Sequence, residues 1–303
     1  MKFSLTILGS SSALPTSDRF LTAQVLNVNE RFFLLDCGEG TQIQLRRCRI
    51  PFGKIKHIFI SHLHGDHVFG LPGLISTFNL LGRLDDLHIY AHKSLKQILN
   101  QFLGQFYVKL GFNLIYHALD EENSSLIYED KTLEVYSFPL KHRILCNGFL
   151  FREKPKLRNL RKDVIELYNI PVRERVNIKN GADFITTDGT VIPNEKLTIN
   201  PPKSKSFAYL TDTSFLPSVA SNIQGVDLLY HESTFLDEDA ELAMETGHSS
   251  ATQAAQVAAL SGASRLILGH FSTRYRDLSI FKTQAQKTFV NVELAEDGHV
   301  FEV

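Results

Sequence analysis

Residues 61–67 read SHLHGDH. Three imidazoles and a carboxylate in seven positions form a dense set of metal donors. His62 and His64 lie two apart, so an extended backbone aims both rings the same way. Asp66 and His67 are adjacent and can face a second point. This spacing suits two cations side by side better than one. Imidazole nitrogen and carboxylate oxygen match Zn2+, and Mn2+ or Fe2+ are accepted by the same donors. Structural zinc sites are usually closed and cysteine-rich. This set has no cysteine and leaves a position for water, which is the catalytic arrangement. Two adjacent cations can acidify a water and clamp the charge that develops on a phosphodiester.

Such a motif needs a scaffold that presents it. HIFISH, FAYLTD, DLLYHE and RLILGH each run apolar and then end in His, Asp or Glu. In α/β sheets, sites gather at the carboxyl ends of strands, so these endings predict one convergent cluster. FSLTIL, AQVLNV, RFFLLDC, LHIYA, FNLIYH and TLEVYSF read as further strands. GTQIQLRRC reads as a helix, as does a stretch from Asp66 through Leu81 that tolerates Pro72 in its first turns. SLKQILNQFL reads as a helix capped by Ser94. SATQAAQVAALSG reads as a helix stopped by Gly262. The alternation defines an α/β chain.

The bulk numbers narrow the field. The chain has 303 residues, net charge −1 and an ordinary 43% of hydrophobic residues. Composition alone announces no nucleic-acid binder, yet charge is unevenly placed. Lys141 to Lys162 holds eight Lys/Arg and one acid, Glu153; Asp227 to Glu245 holds seven acids and no Lys or Arg. Residues 152–205 are polar and basic and read as an inserted arm within a single 1–303 domain. Cys37, Cys48 and Cys146 are scattered, with no CxxC pair, which points to a reducing compartment. The N-terminus reads as a strand and not a signal peptide, and no apolar stretch is long enough to span a bilayer. The expectation is a cytoplasmic protein without membrane association.

SHLHGDH resembles the signature of the metallo-β-lactamase superfamily. Matches in order along the chain resemble one of its families more closely: ribonuclease Z, the tRNA 3′-processing endonucleases. PLKHRILCNGF resembles that family's third metal motif, YLTD its bridging aspartate, YHEST its HEAT loop, GHSSATQAA its HST loop and LILGHFSTRY its last histidine motif. The resemblance implies a four-layer αβ/βα sandwich with an inserted basic arm, or exosite. It implies two Zn2+ per subunit, one held by His62, His64, His142 and Asp212. The other would be held by Asp66, His67, His270 and Asp212. Asp36, in LLDCGEG, reads either as a hydrogen-bond partner to a ligand histidine or, nearly as well, as a structural turn aspartate.

The chemistry implied is hydrolysis of a precursor tRNA, leaving a tRNA 3′-hydroxyl and a 5′-phosphate on the trailer. Asp66 would serve as base, and His248, oriented by Glu232, as the acid for the leaving 3′-oxygen. KPKLRN resembles the family's PxKxRN loop, one residue shorter, and implies RNA contacts by Lys156, Arg158 and Asn159. A homodimer is implied by the family alone; the apolar stretch 68–82 is suited to an interface, and core packing accounts for it equally well. Two rivals stand beside this reading. One is a smaller-substrate phosphodiesterase of the same superfamily. The other is a non-catalytic RNA-binding protein on this scaffold.

Overall fold

Two seven-stranded sheets carry the fold of this computed structural model, which describes residues 2–106 and 108–303. The first sheet has the order β18-β1-β2-β3-β4-β5-β6. Its strands are β1 (Phe3–Gly9), β2 (Ala23–Val28), β3 (Arg31–Leu35), β4 (Ile55–Phe59), β5 (Leu87–Ala91), β6 (Leu114–Ala118) and β18 (Val300–Glu302). The second has the order β17-β16-β15-β14-β9-β8-β7. It contains β7 (Ser125–Glu129), β8 (Leu133–Leu140), β9 (Cys146–Glu153), β14 (Ser206–Leu210), β15 (Leu228–Glu232), β16 (Leu266–Gly269) and β17 (Val292–Leu294).

Each sheet changes direction partway across. β1, β2 and β3 pair antiparallel, and Asn29 and Glu30 (φ 52° and 66°) make the tight turn between β2 and β3. Two residues of positive φ match the turn twist to the strand twist. From β3 to β6 the pairing is parallel, as it is from β14 to β17. Parallel neighbours need crossovers. Helices α1 (Thr41–Arg47), α2 (Gly65–Val68), α3 (Leu71–Leu80) and α4 (Ser94–Gln105) supply them in the first half. In the second, α8 (Ala240–Thr246), α9 (Ala251–Ser261), α10 (Ser279–Ala285) and a 3-10 segment, Pro217–Ile223, do so.

The layering follows from which faces are apolar. Leu45, Leu71, Leu74, Leu95 and Leu99 bury one face of α1, α3 and α4 against Leu34, Ile58 and Ile89 of the first sheet. Buried Ala254, Ala255 and Ala258 let α9 lie close on β15 and β16. Between the sheets, Phe33 meets Phe151 and Phe59 meets Phe149, with ring centroids 5.6 and 5.5 Å apart. This is the expected αβ/βα sandwich.

Two local readings are corrected. The stretch 66–81 is not one helix: α2 ends at Val68 and α3 begins at Leu71. Gly70 donates its N–H to the carbonyl of Cys37 at 2.9 Å, and a Cβ there would sit 2.1 Å from the Gly38 carbonyl oxygen. Tertiary docking of the 36–40 loop breaks the helix, and Pro72 sits in the opening turn of the second piece, where it costs little. Ser94 opens α4 but does not cap it; its hydroxyl lies 2.7 Å from His92 Nδ1. The Gly262 stop is observed, with φ 63°.

The chain forms two compact units. One is the sandwich. The other consists of Asp130–Leu133 and Arg152–Ser204. The second contains β10 (Asn159–Leu160) paired with β13 (Thr198–Ile199), and β11 (Phe184–Ile185) paired with β12 (Val191–Ile192). Helices α5 (Lys162–Leu167), α6 (Val172–Lys179) and α7 (Asn194–Leu197) complete it. Val164, Ile170, Ile178, Phe184, Ile192 and Leu197 give this polar stretch a small core of its own.

Candidate metal centre

The parallel strands of both sheets end at a common edge. β3 delivers Asp36, β4 leads into Ser61–His67, β14 into Asp212, and β16 into His270, while Glu232 ends β15. Asp36, Asp212 and His270 all have positive φ, at 54°, 37° and 60°. For residues with a side chain such conformations cost on the order of 1–3 kcal/mol each and are kept where function needs the aim.

Two donor groups result. His62, His64, His142 and Asp212 form one; Asp66, His67 and His270 form the other. In the first, His62 Nε2 is 3.0 Å from His64 Nδ1, and His142 Nε2 is 3.3 Å from the same atom. Asp212 Oδ2 lies 3.5 Å from His62 Nε2 and 3.7 Å from His142 Nε2. In the second, His67 Nε2 and His270 Nε2 are 3.3 Å apart, and Asp66 Oδ2 is 3.4 and 3.5 Å from them. Asp212 turns its other oxygen to this group, with Oδ1 3.2 Å from His67 and 3.3 Å from His270. One carboxylate therefore serves both groups.

The spacing and the charge both fit a divalent cation. Zinc–nitrogen bonds of about 2.0–2.1 Å in a tetrahedron put neighbouring donors about 3.3–3.4 Å apart. Burial works against charge on the His67 ring, yet Asp212, Asp66 and Asp36 raise its pKa well above the ordinary histidine range. Asp212 is fully buried, which alone would favour its neutral form, but His270, His67 and His62 hold it well below the usual carboxylate range. Burial lowers His62, His64 and His142, leaving those rings neutral and able to donate a lone pair. The donor set is a His/Asp set with no cysteine, which suits a hydrolytic metal site better than a closed structural one.

The far ring nitrogens are anchored. His67 Nδ1 donates to Asp36 Oδ2 at 2.8 Å, and Asp36 also accepts from Ser61 N, Ser61 Oγ and the Tyr209 hydroxyl at 2.7, 2.8 and 2.7 Å. His142 Nδ1 donates to the Gly247 carbonyl at 2.8 Å. These contacts put a proton on the outer nitrogens, so the inward nitrogens are the ones that would offer a lone pair once a cation displaces any proton there. Asp66 Oδ2 also accepts the Ala13 N–H at 2.8 Å.

Beside the two groups stands a second device. His248 Nδ1 donates to Glu232 Oε1 at 2.9 Å. Glu232 is fully buried and accepts three backbone N–H groups, from Thr213, Thr234 and Ser249, at 3.0, 2.9 and 3.1 Å. Burial alone would raise its pKa, but His248 keeps it below the usual range. Burial likewise opposes charge on His248, and Glu232 outweighs it, pushing that ring up to about 9. Asp212, His248 and His270 also form a close trio, so His248 faces the metal-binding pocket. The neighbouring His231 turns away and is buried, its Nδ1 2.6 Å from the Glu232 carbonyl.

A cleft of about 610 Å³ opens over these residues, bordered by Ala13, Glu39, Phe69, Arg143 and Ser272. In the second compact unit, Lys156 is tied to buried Glu153 at 2.6 Å, and Asn159 lies in β10. Arg158 Nε donates to Thr198 at 2.6 Å, and Arg158 borders a cavity of about 760 Å³ together with Arg161. Arg161 was not singled out by the sequence; only the fold places it beside Arg158. His57, His88 and His117 carry no motif and stack in a row across β4, β5 and β6.

The fold and the site are those of the metallo-β-lactamase class, with a divalent-metal site at one edge. The beta-lactamase superfamily domain matches residues 179–271, and the model for the anti-Pycsar protein Apyc1 matches residues 3–111. The chain is 47% identical to the ribonuclease Z of Bacteroides fragilis over 297 residues, 98% of each chain. It is 47% identical to that of Parabacteroides distasonis over 98% of this chain and 97% of the relative. The crystal structure of human tRNase Z, short form, superposes with TM-score 0.72 at 30% identity, covering 98% of both chains. The metallo-beta-lactamase fold protein YhfI of Bacillus subtilis shares the fold, with TM-score 0.70, 18% identity and 99% of both chains covered. The chain belongs to the ribonuclease Z family.

Proposed function

We propose that this chain is a zinc-dependent endoribonuclease that removes the 3′ trailer from precursor tRNA. It would leave a 3′-hydroxyl on the tRNA and a 5′-phosphate on the trailer. The observation that carries the reading is the pair of donor groups sharing Asp212, with His248–Glu232 beside them. The substrate comes from the relatives, which are ribonuclease Z proteins and a human tRNase Z.

In this reading His62, His64, His142 and Asp212 would hold one Zn2+, and Asp66, His67, His270 and Asp212 would hold a second. When bound, the metals supply an activated water and neutralise the charge that develops on phosphorus. Asp66 stays ionised, since His67 and His270 outweigh the effect of its burial. It would accept the proton of the attacking water. His248 supplies a proton to the departing 3′-oxygen, because an alkoxide leaves poorly without one. Glu232 keeps that ring charged and aimed.

The basic second unit would hold the tRNA body through its phosphates. Arg158 and Arg161 border its cavity; Arg161 is paired with Asp163 at 2.6 Å, but both of those side chains are exposed, whereas the Lys156 ammonium is held by buried Glu153. Replacing both arginines with Ala should raise KM for precursor tRNA about tenfold and flatten its salt dependence, with kcat little changed. Unaltered KM and salt slope would remove the unit from substrate binding.

A cytoplasmic homodimer completes the proposal. No described helix is long and apolar enough to cross a membrane. An apolar groove of about 370 Å³, lined by Leu63, Val68, Phe69, Ile98 and Phe102, gives a second copy somewhere to pack. Sedimentation as a 34.3 kDa monomer would rule the dimer out.

The deciding experiment is cleavage of a 3′-extended precursor tRNA with end-group analysis, run beside a chromogenic diester. The expected result is one cut at the trailer junction and far slower turnover of the diester. Efficient hydrolysis of the diester with the RNA intact would favour a small-substrate phosphodiesterase instead.

A further inference from the structure

Thr234 stands where the two devices of the site meet. Its side chain is almost fully buried. Its hydroxyl oxygen lies 2.8 Å from Glu232 Oε2, 2.9 Å from His270 Nδ1 and 3.2 Å from His248 Nδ1. A hydroxyl has one proton to give and two lone pairs to receive with. Of these three neighbours only the Glu232 carboxylate is purely an acceptor. His248 Nδ1 already directs its proton to Glu232 Oε1 at 2.9 Å. The Thr234 proton therefore goes to Glu232, and the oxygen is left to accept from His270 Nδ1–H.

That assignment decides the tautomer of His270. With the proton on Nδ1, the lone pair sits on Nε2, the atom 3.3 Å from Asp212 Oδ1 and 3.5 Å from Asp66 Oδ2. His67 obtains the same result from Asp36, and His142 from the Gly247 carbonyl. Among the described residues, no carboxylate or carbonyl meets His270 Nδ1 directly. It reaches Glu232 through the threonine. The backbone agrees with this role: the Thr234 N–H also donates to Glu232 Oε2 at 2.9 Å, which fixes the hydroxyl between carboxylate and ring.

We propose that Thr234 is a positioning residue that shares the charge of Glu232 between His270 and His248. It sets His270 in the tautomer a cation needs while the same carboxylate holds His248. The inference rests on the reading of His270 as a metal ligand given above. One buried carboxylate then serves both the metal side and the acid side of the site.

The test separates this role from simple packing. Thr234→Val keeps the shape and removes the hydroxyl. It should weaken zinc affinity at the site that includes His270 by about 10–100-fold and lower kcat by a similar factor, the usual effect of losing a partner behind a ligand. Thr234→Ser, which restores the hydroxyl, should recover most of both. Competition titration with a chelating dye reads the affinity without any RNA, so its outcome is independent of the proposed substrate. A Val variant with the zinc affinity and kcat of the parent would overturn the proposal. Should Thr234→Val fail to fold, ring 15N NMR of the unmodified zinc-loaded protein decides instead. His270 must show its proton on Nδ1, and a proton on Nε2 would refute the role.

Discussion

Asp212→Asn should yield a folded protein that has lost most of its metal and at least about a thousandfold in turnover. The figure follows from the several kcal/mol that a metal contributes to a hydrolytic transition state, with about 1.4 kcal/mol per decade of rate. Asn keeps the volume but gives up the charge and one of two oxygen donors. Asp212 Oδ2 faces His62 and His142 while Oδ1 faces His67 and His270, so one substitution harms both groups. Metal analysis, circular dichroism and cleavage of precursor tRNA measure the three quantities. The parent protein, stripped by a chelator, should lose activity and regain it on zinc addition. A fully loaded Asp212→Asn variant would mean that Asp212 does not bridge the site.

His248→Ala makes the complementary case. Turnover should fall by about 10²–10⁴-fold, the range for a general acid, while metal content stays unchanged. The control matters because His248 also lies close to Asp212 and His270. Loss of metal would make it a ligand and not an acid. The pH dependence gives a second reading. An acid must carry its proton, so rate is retained below the pKa of His248 and lost as pH rises through it. Glu232 pushes that value up to about 9 against the effect of burial. Glu232→Gln removes the carboxylate, so the alkaline fall should move to lower pH. An unmoved limb would disconnect Glu232 from the acid.

Much of this architecture could be read from the chain because its residues advertise themselves locally. HxHxDH packs four donors into six positions, and Asp212, Glu232 and His270 each follow a short apolar strand that aims them at the same edge. The fold class follows from the rhythm of those strands and helices. What escaped depends on contacts across the sequence. The break between α2 and α3 is caused by the Gly38 loop pressing on Gly70, and neither glycine signals it alone. β9 begins in the motif PLKHRILCNGF and runs past its end; most of its side chains are buried on both faces and show no alternation. Thr234 lies inside the quoted YHEST, yet only the fold shows its hydroxyl placed between two histidines. In the second unit, Lys156 has its charge occupied by Glu153, a pairing three residues along that the loop motif did not reveal.

The placement of β18 has a consequence for biosynthesis. It pairs with β1, so a strand near residue 300 lies against one that begins at Phe3. His270 meets His67 at a sequence separation of 203, and Asp297 accepts from Ser10 at a separation of 287. A nascent chain still lacking those C-terminal stretches has an open edge at β1 and no finished pocket. Under the proposed activity, an unfinished enzyme emerging from the ribosome would be unable to cut the RNA around it.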